Sequence, residues 1–186
     1  MTVTKLVMRA GLLVFTLMSA GIHADQTDER LDALFQTLKT SQDPSELETV
    51  ERDIWEIWFD SGQQEVDELM EKAELAMQAG QLGIAEAIYS RVVEMAPGFS
   101  EGWNRRATVR YYREDYEGSF SDIERTLYLE PRHFGATWGL GMILEYWRDY
   151  GGAIAAFERL LEIKPNSDDI RRRIDELERE QAKSAV

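Results

Sequence analysis

Four arginines, Arg105, Arg106, Arg110 and Arg113, crowd one stretch of a chain whose formal charge is −14. A guanidinium fork grips a carboxylate through two parallel hydrogen bonds. Arg105, Arg106 and Arg110 are therefore candidate contacts for an acidic peptide or another carboxylate ligand. Arg106 and Arg110 stand four residues apart, on one face of any helix that carries them. The competing use is internal pairing with acids such as Asp122 or Glu124 on an adjacent helix, the arginine stems packed beneath. Of the two, internal pairing is favoured. Catalytic chemistry finds less to work with. The chain has no cysteine, which excludes thiol nucleophiles and disulfides, and its two histidines are His23 and His133. His133 falls in a turn and reads as a half-exposed residue packing on its neighbours. One histidine and no cysteine cannot make a zinc site without carboxylates, and these show no recognisable ligand spacing. Calcium loops, phosphate-binding glycine loops and a G-x-S-x-G elbow are missing from the sequence. The 35 acidic residues read as solvated faces. These observations point to binding rather than catalysis, with no metal and no cofactor.

The elements that would hold such a site begin after a leader. Lys5 and Arg9 give a basic start, Ala10 to Ala20 is almost wholly apolar, and Ile22-His23-Ala24 precedes a charged stretch. Residues 1–24 therefore read as a signal peptide cut after Ala24, with Ala20 or Gly21 as the next sites. The apolar run falls short of the roughly 20 residues that span a bilayer, so removal is expected rather than anchoring. Loss of Lys5 and Arg9 leaves 35 acidic against 19 basic side chains, a net charge of −16. That charge disfavours nucleic acid and anionic membrane surfaces as partners. An exported chain without disulfides must rely on its core, and the expected destination is the bacterial periplasm or the medium.

Beyond the leader, Pro97, Pro131 and Pro165 stand 34 residues apart. Blocks starting at Val66, Ser100 and Phe134 then align. The eighth position holds Ala73, Ala107 and Gly141, the twentieth Ala85, Ser119 and Ala153, and the twenty-fourth Tyr89, Ile123 and Phe157. Small residues at eight and twenty let two helices approach closely, and the larger residue at twenty-four fills the gap to the next pair. Each proline stops a helix, and Gly80, Asp115 and Asp149 fall where a first helix turns into a second. A period of 34 residues is that of a helical-hairpin array.

In these columns the chain resembles the tetratricopeptide-repeat family, with three copies over 66–99, 100–133 and 134–167. Leu69 and Trp103 match the family's large residue at position four. Thr137 departs there, as do Lys72 and Arg106 at seven, Ala76, Arg110 and Leu144 at eleven, and Val92, Thr126 and Leu160 at twenty-seven. The resemblance implies an all-α, α-solenoid fold. Upstream, Leu31, Leu34, Phe35 and Leu38 mark one amphipathic helix. Asp43-Pro44-Ser45-Glu46 reads as a capping box opening a second helix, which carries Leu47, Val50, Ile54, Trp55 and Trp58. Residues 25–65 are thus expected to form a degenerate repeat or N-terminal cap. Residues 168–186, with Ile170, Ile174 and Leu177 on one edge, are expected to form a capping helix and frayed tail.

The resemblance also implies that the first helix of each pair lines a concave surface that receives a peptide or helix of another protein. Mapped by position, the groove would hold Met70, Glu74 and Met77 in the first block, with Asp67 beside them. Asn104, Thr108 and Tyr111 follow in the second, with Glu101, and Trp138, Met142 and Glu145 in the third, with Gly135. Tyr112 and Tyr146 would flank it. Thioethers adapt to shape and aromatics bury area at low entropic cost. The alternative is that these side chains pack on one another, or on the N-terminal hairpin folded into the groove. Family members that clamp a chaperone's C-terminal carboxylates use Lys and Asn at inward positions. Only Asn104 and its neighbour Arg105 match that pattern, so the function is not carried across. The expected role is a non-catalytic scaffold. Self-association, with Trp55 and Trp58 covering a neighbouring chain, is the alternative, and a carboxylate-based enzyme the remote one.

Overall fold

The computed structural model describes residues 25–184; the leader read over 1–24 lies outside the described residues. After a single 3₁₀ turn at Asp25–Thr27 come α1 (Arg30–Thr40), α2 (Pro44–Phe59), α3 (Gln64–Gln78), α4 (Leu82–Met95) and α5 (Ser100–Tyr112). These are followed by α6 (Tyr116–Leu129), α7 (Phe134–Tyr146), α8 (Tyr150–Ile163) and α9 (Asp168–Ser184), with no strand among the described residues. The fold is an α-solenoid in which α3/α4, α5/α6 and α7/α8 are three stacked hairpins, closed by α9 on α8.

The repeat columns do the work their chemistry suggests. Pro97, Pro131 and Pro165 each sit two residues beyond the end of a second helix, where the missing N–H breaks no helical bond. Ala73, Ala85, Ala107, Ser119 and Ala153 are buried at the hairpin crossings. At Gly141 an added Cβ would lie 2.6 Å from the Phe157 ring, so only glycine admits that approach. The tight turn inside each hairpin uses one left-handed residue at the same repeat position: Gly80 (φ 71°), Glu114 (φ 65°) and Arg148 (φ 61°). Asp115 and Asp149 then cap the following helices, accepting from the amides of Gly118 and Gly152, which satisfies an otherwise orphan donor.

The N-terminal hairpin does not continue the stack. Leu31, Phe35, Leu38, Ile54 and Trp58 share one core with Phe134, Phe157 and Leu160 of the third hairpin and with Ile170 and Leu177 of α9. Helix α1 thus lies against α8, and α2 against α5. Three polar ties fix this strap, each at the residue that follows a repeat proline. Gln26 donates to the Gly98 carbonyl (2.6 Å), Asp32 pairs with Arg132 (2.6 Å), and Asn166 donates to the Ser41 carbonyl (2.5 Å). Lys164 adds an ion pair to Glu51 at 2.7 Å. The capping box at α2 is half formed: Asp43 accepts from the Ser45 amide, but Glu46 turns to the Ser41 hydroxyl, which itself takes the Asp43 N–H.

Candidate functional site

Helix α2 lies over the first part of the concave face because its tryptophans find complementary partners there. Trp58 stacks on His133, with centroids 4.2 Å apart and planes 8° apart. Trp55 meets Phe134 edge-on at 5.2 Å and lies over Gly135, where an added Cβ would fall 2.8 Å from the indole ring. Position two of the third repeat is thus glycine because an indole occupies the space a side chain would take. These tryptophans cover their own chain's α7 rather than a neighbour's surface.

Beneath them sits a buried polar cluster. Glu101 and His133 are both fully buried, with Glu101 Oε2 2.9 Å from His133 Nε2. Glu101 also accepts from Arg105 Nε (2.5 Å) and Asn104 Nδ2 (2.9 Å). The Ala136 amide donates to His133 Nδ1 at 3.1 Å, so that nitrogen carries no proton and the Nε2–H donates to the carboxylate. Burial alone would raise the Glu101 carboxyl, but the hydrogen bond from His133 and the charge of Arg105 outweigh it and hold the group below its ordinary value. Desolvation would lower the Arg105 guanidinium, yet the Glu101 charge raises it. Reading His133 as a half-exposed turn residue is therefore corrected. It caps α7 and links α5 to α2. Asn104 and Arg105, the two residues reminiscent of a carboxylate clamp, hold this chain's own Glu101.

The other arginines are also engaged internally. Arg106 grips Asp122 through two bonds (2.7 and 2.8 Å). Arg110 reaches Glu86 (3.0 Å) and Asp122 (2.9 Å), and Arg113 pairs with Glu86. The acidic-ligand reading of Arg105, Arg106 and Arg110 gives way to internal pairing, with Asp122 rather than Glu124 as the hub. Two of these guanidinium groups converge on that one carboxylate, which is itself buried.

Between α5, from Asn104 to Tyr112, and α7, from Gly135 to Met142, lies an open cleft of about 280 Å³. Asn104, Thr108, Tyr111, Trp138 and Met142 line it, with Tyr112 at its side. Trp138 is held edge-on against Phe157 at 5.0 Å, and its indole N–H points to the Met142 sulfur at 3.1 Å. Gly135 also lines it, whereas the groove candidates of the first block and Glu145 do not. Met70 is buried in the first hairpin's core, with Met77 packed against it. Glu74 pairs with Arg105 at 3.4 Å, and Glu145 with Arg173. Ser119 and Ile123 of α6 and Gly139 of α7 complete the wall. Assigning the concave face to first helices alone leaves out the α6 pair, although the small residue at position twenty marks where that helix comes close.

Comparison with known proteins agrees with this architecture. A family model described as tetratricopeptide repeat matches residues 138–167. A TPR repeat-containing protein of Rhizobium etli is 36% identical over 137 residues, 74% of this chain and 67% of that protein. Among solved structures, the Sgt2 TPR domain of Aspergillus fumigatus superposes with a TM-score of 0.61 at 24% identity, covering 66% of this chain and 83% of that one. The first TPR of Spaghetti (RPAP3), bound to an HSP90 peptide, has a TM-score of 0.61 at 19% identity, covering 64% of this chain and 94% of that one.

Proposed function

Since the chain belongs to the tetratricopeptide-repeat family, we propose that it is a non-catalytic scaffold that seats a peptide or helix of another protein in the α5–α7 cleft. The observation that carries this reading is the cleft itself: an indole, a phenol and a thioether, preorganised by their own packing, around about 280 Å³ of open volume. Such a recess accepts one or two apolar side chains, and rigid aromatics lose little entropy on binding. A structural neighbour in complex with an HSP90 peptide supports peptide binding in outline. The chemistry here differs, because Asn104 and Arg105 already hold Glu101.

The leader read over residues 1–24 supports export to the periplasm or the medium, where the strap and core would hold the fold without disulfides. Capture from a periplasmic extract should recover a partner that is lost with a Trp138→Ala, Tyr111→Ala double variant of unchanged helicity. Equal recovery by that folded variant sinks the cleft reading. N-terminal sequencing of the exported protein should begin at Asp25; an intact Met1 in the membrane fraction sinks the reading of the leader as removed.

A further inference from the structure

Where α5 turns into α6 and α7 into α8, the molecule exposes an aromatic face continuous with the mouth of the cleft. Tyr112 is 60% exposed and Tyr146 57%. Their rings belong to a connected run: Tyr112 to Tyr111 (6.1 Å), Tyr111 to Tyr116 (5.4 Å) and Tyr116 to Tyr146 (3.8 Å). Elsewhere in this molecule aromatic rings sit under cations. Arg105 lies 4.4 Å from the Phe59 centroid, Arg132 4.4 Å from Phe35, Arg106 4.8 Å from Trp103 and Arg125 5.2 Å from Tyr128. Among the described residues no lysine or arginine lies over the four tyrosines of the run.

The charge around this face is negative. Glu114 and Glu117 are exposed and in no ion pair among the described residues, while Asp115 and Asp149 cap helices beside them. Arg148 opposes them, and Arg110 lies 3.7 Å from Asp115; Arg113 is tied to Glu86, and Arg173 to Glu145 and Glu176. Glu114 stands two residues from both Tyr112 and Tyr116 in the turn, and lost hydration of the Tyr116 phenol, then Tyr146 and the Glu114 carboxylate, hold that phenol above its ordinary pKa. The negative faces of the tyrosines and the carboxylates attract the same species, a cation. A neutral or acidic segment would gain nothing from either.

We infer that this face receives an arginine or lysine of the partner polypeptide, beside the apolar residue seated in the cleft. The inference rests on the cleft reading and gives the partner its chemistry: a basic segment carrying an apolar anchor. A cation over an exposed aromatic face should tighten binding about two- to fivefold.

The test uses the purified full chain and two labelled probes, titrated by anisotropy. Both are acetylated, amidated hexapeptides with one leucine–tryptophan anchor; one carries two flanking arginines, the other two citrullines. The arginine peptide should bind about two- to fivefold more tightly. Tyr112→Leu with Tyr146→Leu should erase that difference, whereas Tyr112→Phe with Tyr146→Phe should keep it, circular dichroism confirming the fold of each. Trp138→Ala should weaken both peptides alike. An arginine advantage unchanged in the leucine variant would mean general attraction to an acidic protein, and overturns the inference. Equal binding of both peptides overturns it as well and leaves the cleft reading standing. Binding of neither at millimolar concentration overturns both.

Discussion

Replacing Glu101 by glutamine removes one charge from the middle of the molecule with almost no change in shape. Every contact to that carboxylate is a donor: Arg105 Nε on one oxygen, and Asn104 Nδ2 and His133 Nε2 on the other. The amide nitrogen of glutamine must therefore face a donor whichever way it turns. Breaking a buried, hydrogen-bonded charge pair by changing one partner costs about 3–5 kcal/mol. Arg105 is 21% exposed and has Glu74 at 3.4 Å as a second acceptor, so the lower end, about 3 kcal/mol, is expected. For a chain of this size that is a fall of about 6–12 °C in Tm. Urea denaturation across pH adds a sharper criterion. The Glu101 carboxyl titrates below its ordinary 4.5 in the folded state. Its contribution is thus complete above that value and is lost as pH falls through the lower, folded value. The gap between parent and variant should stay constant from neutrality to about pH 5 and close in stronger acid. A loss under about 1 kcal/mol at pH 7, or a gap that widens in acid, would refute the cluster as described.

Gly135→Ala places a methyl against the Trp55 ring and should cost about 1–3 kcal/mol, read by denaturation together with a red shift of tryptophan emission as α2 loosens. Asp149→Ala removes the cap of α8 and should cost about 1 kcal/mol; hydrogen exchange should show the Gly152 amide losing protection first. At the strap, Arg132→Ala should cost more than Asp32→Ala. The exposed ion pair is worth under about 1 kcal/mol, whereas Arg132 also covers the Phe35 ring and chelates Glu130. Equal losses would show that the ion pair alone matters.

The repeat was legible because its causes are local. A proline without an N–H, a small residue at a crossing and an aspartate before a helix act within a few residues, so their spacing survives in the sequence as a period of 34. Arg106 and Asp122 were legible as a pair for the same reason, lying on the two helices of one hairpin. His133 was not. Its burial depends on Trp58, far away in sequence, arriving over α7, and nothing near Pro131-Arg132-His133 announces that. The split of the groove candidates has the same origin. Met70 and Trp138 occupy equivalent rows, but one is buried in the first hairpin's core and the other borders an open cleft. Gly135 was the available clue. A glycine at an inward helical position, where alanine would serve the helix better, marks a place something else must occupy.

An array held only by neighbour-to-neighbour contacts has two loose ends and unzips from them. Here the first helices and the last share one apolar core, and three rungs join the leading segment to successive bends of the array. The chain is in effect a closed loop without a covalent closure. Amide exchange should therefore show one common opening energy for α1, α2, α8 and α9, with no gradient falling toward the termini. Adding or deleting a whole 34-residue unit, harmless in an open array, would here throw the rungs out of step with the bends they meet.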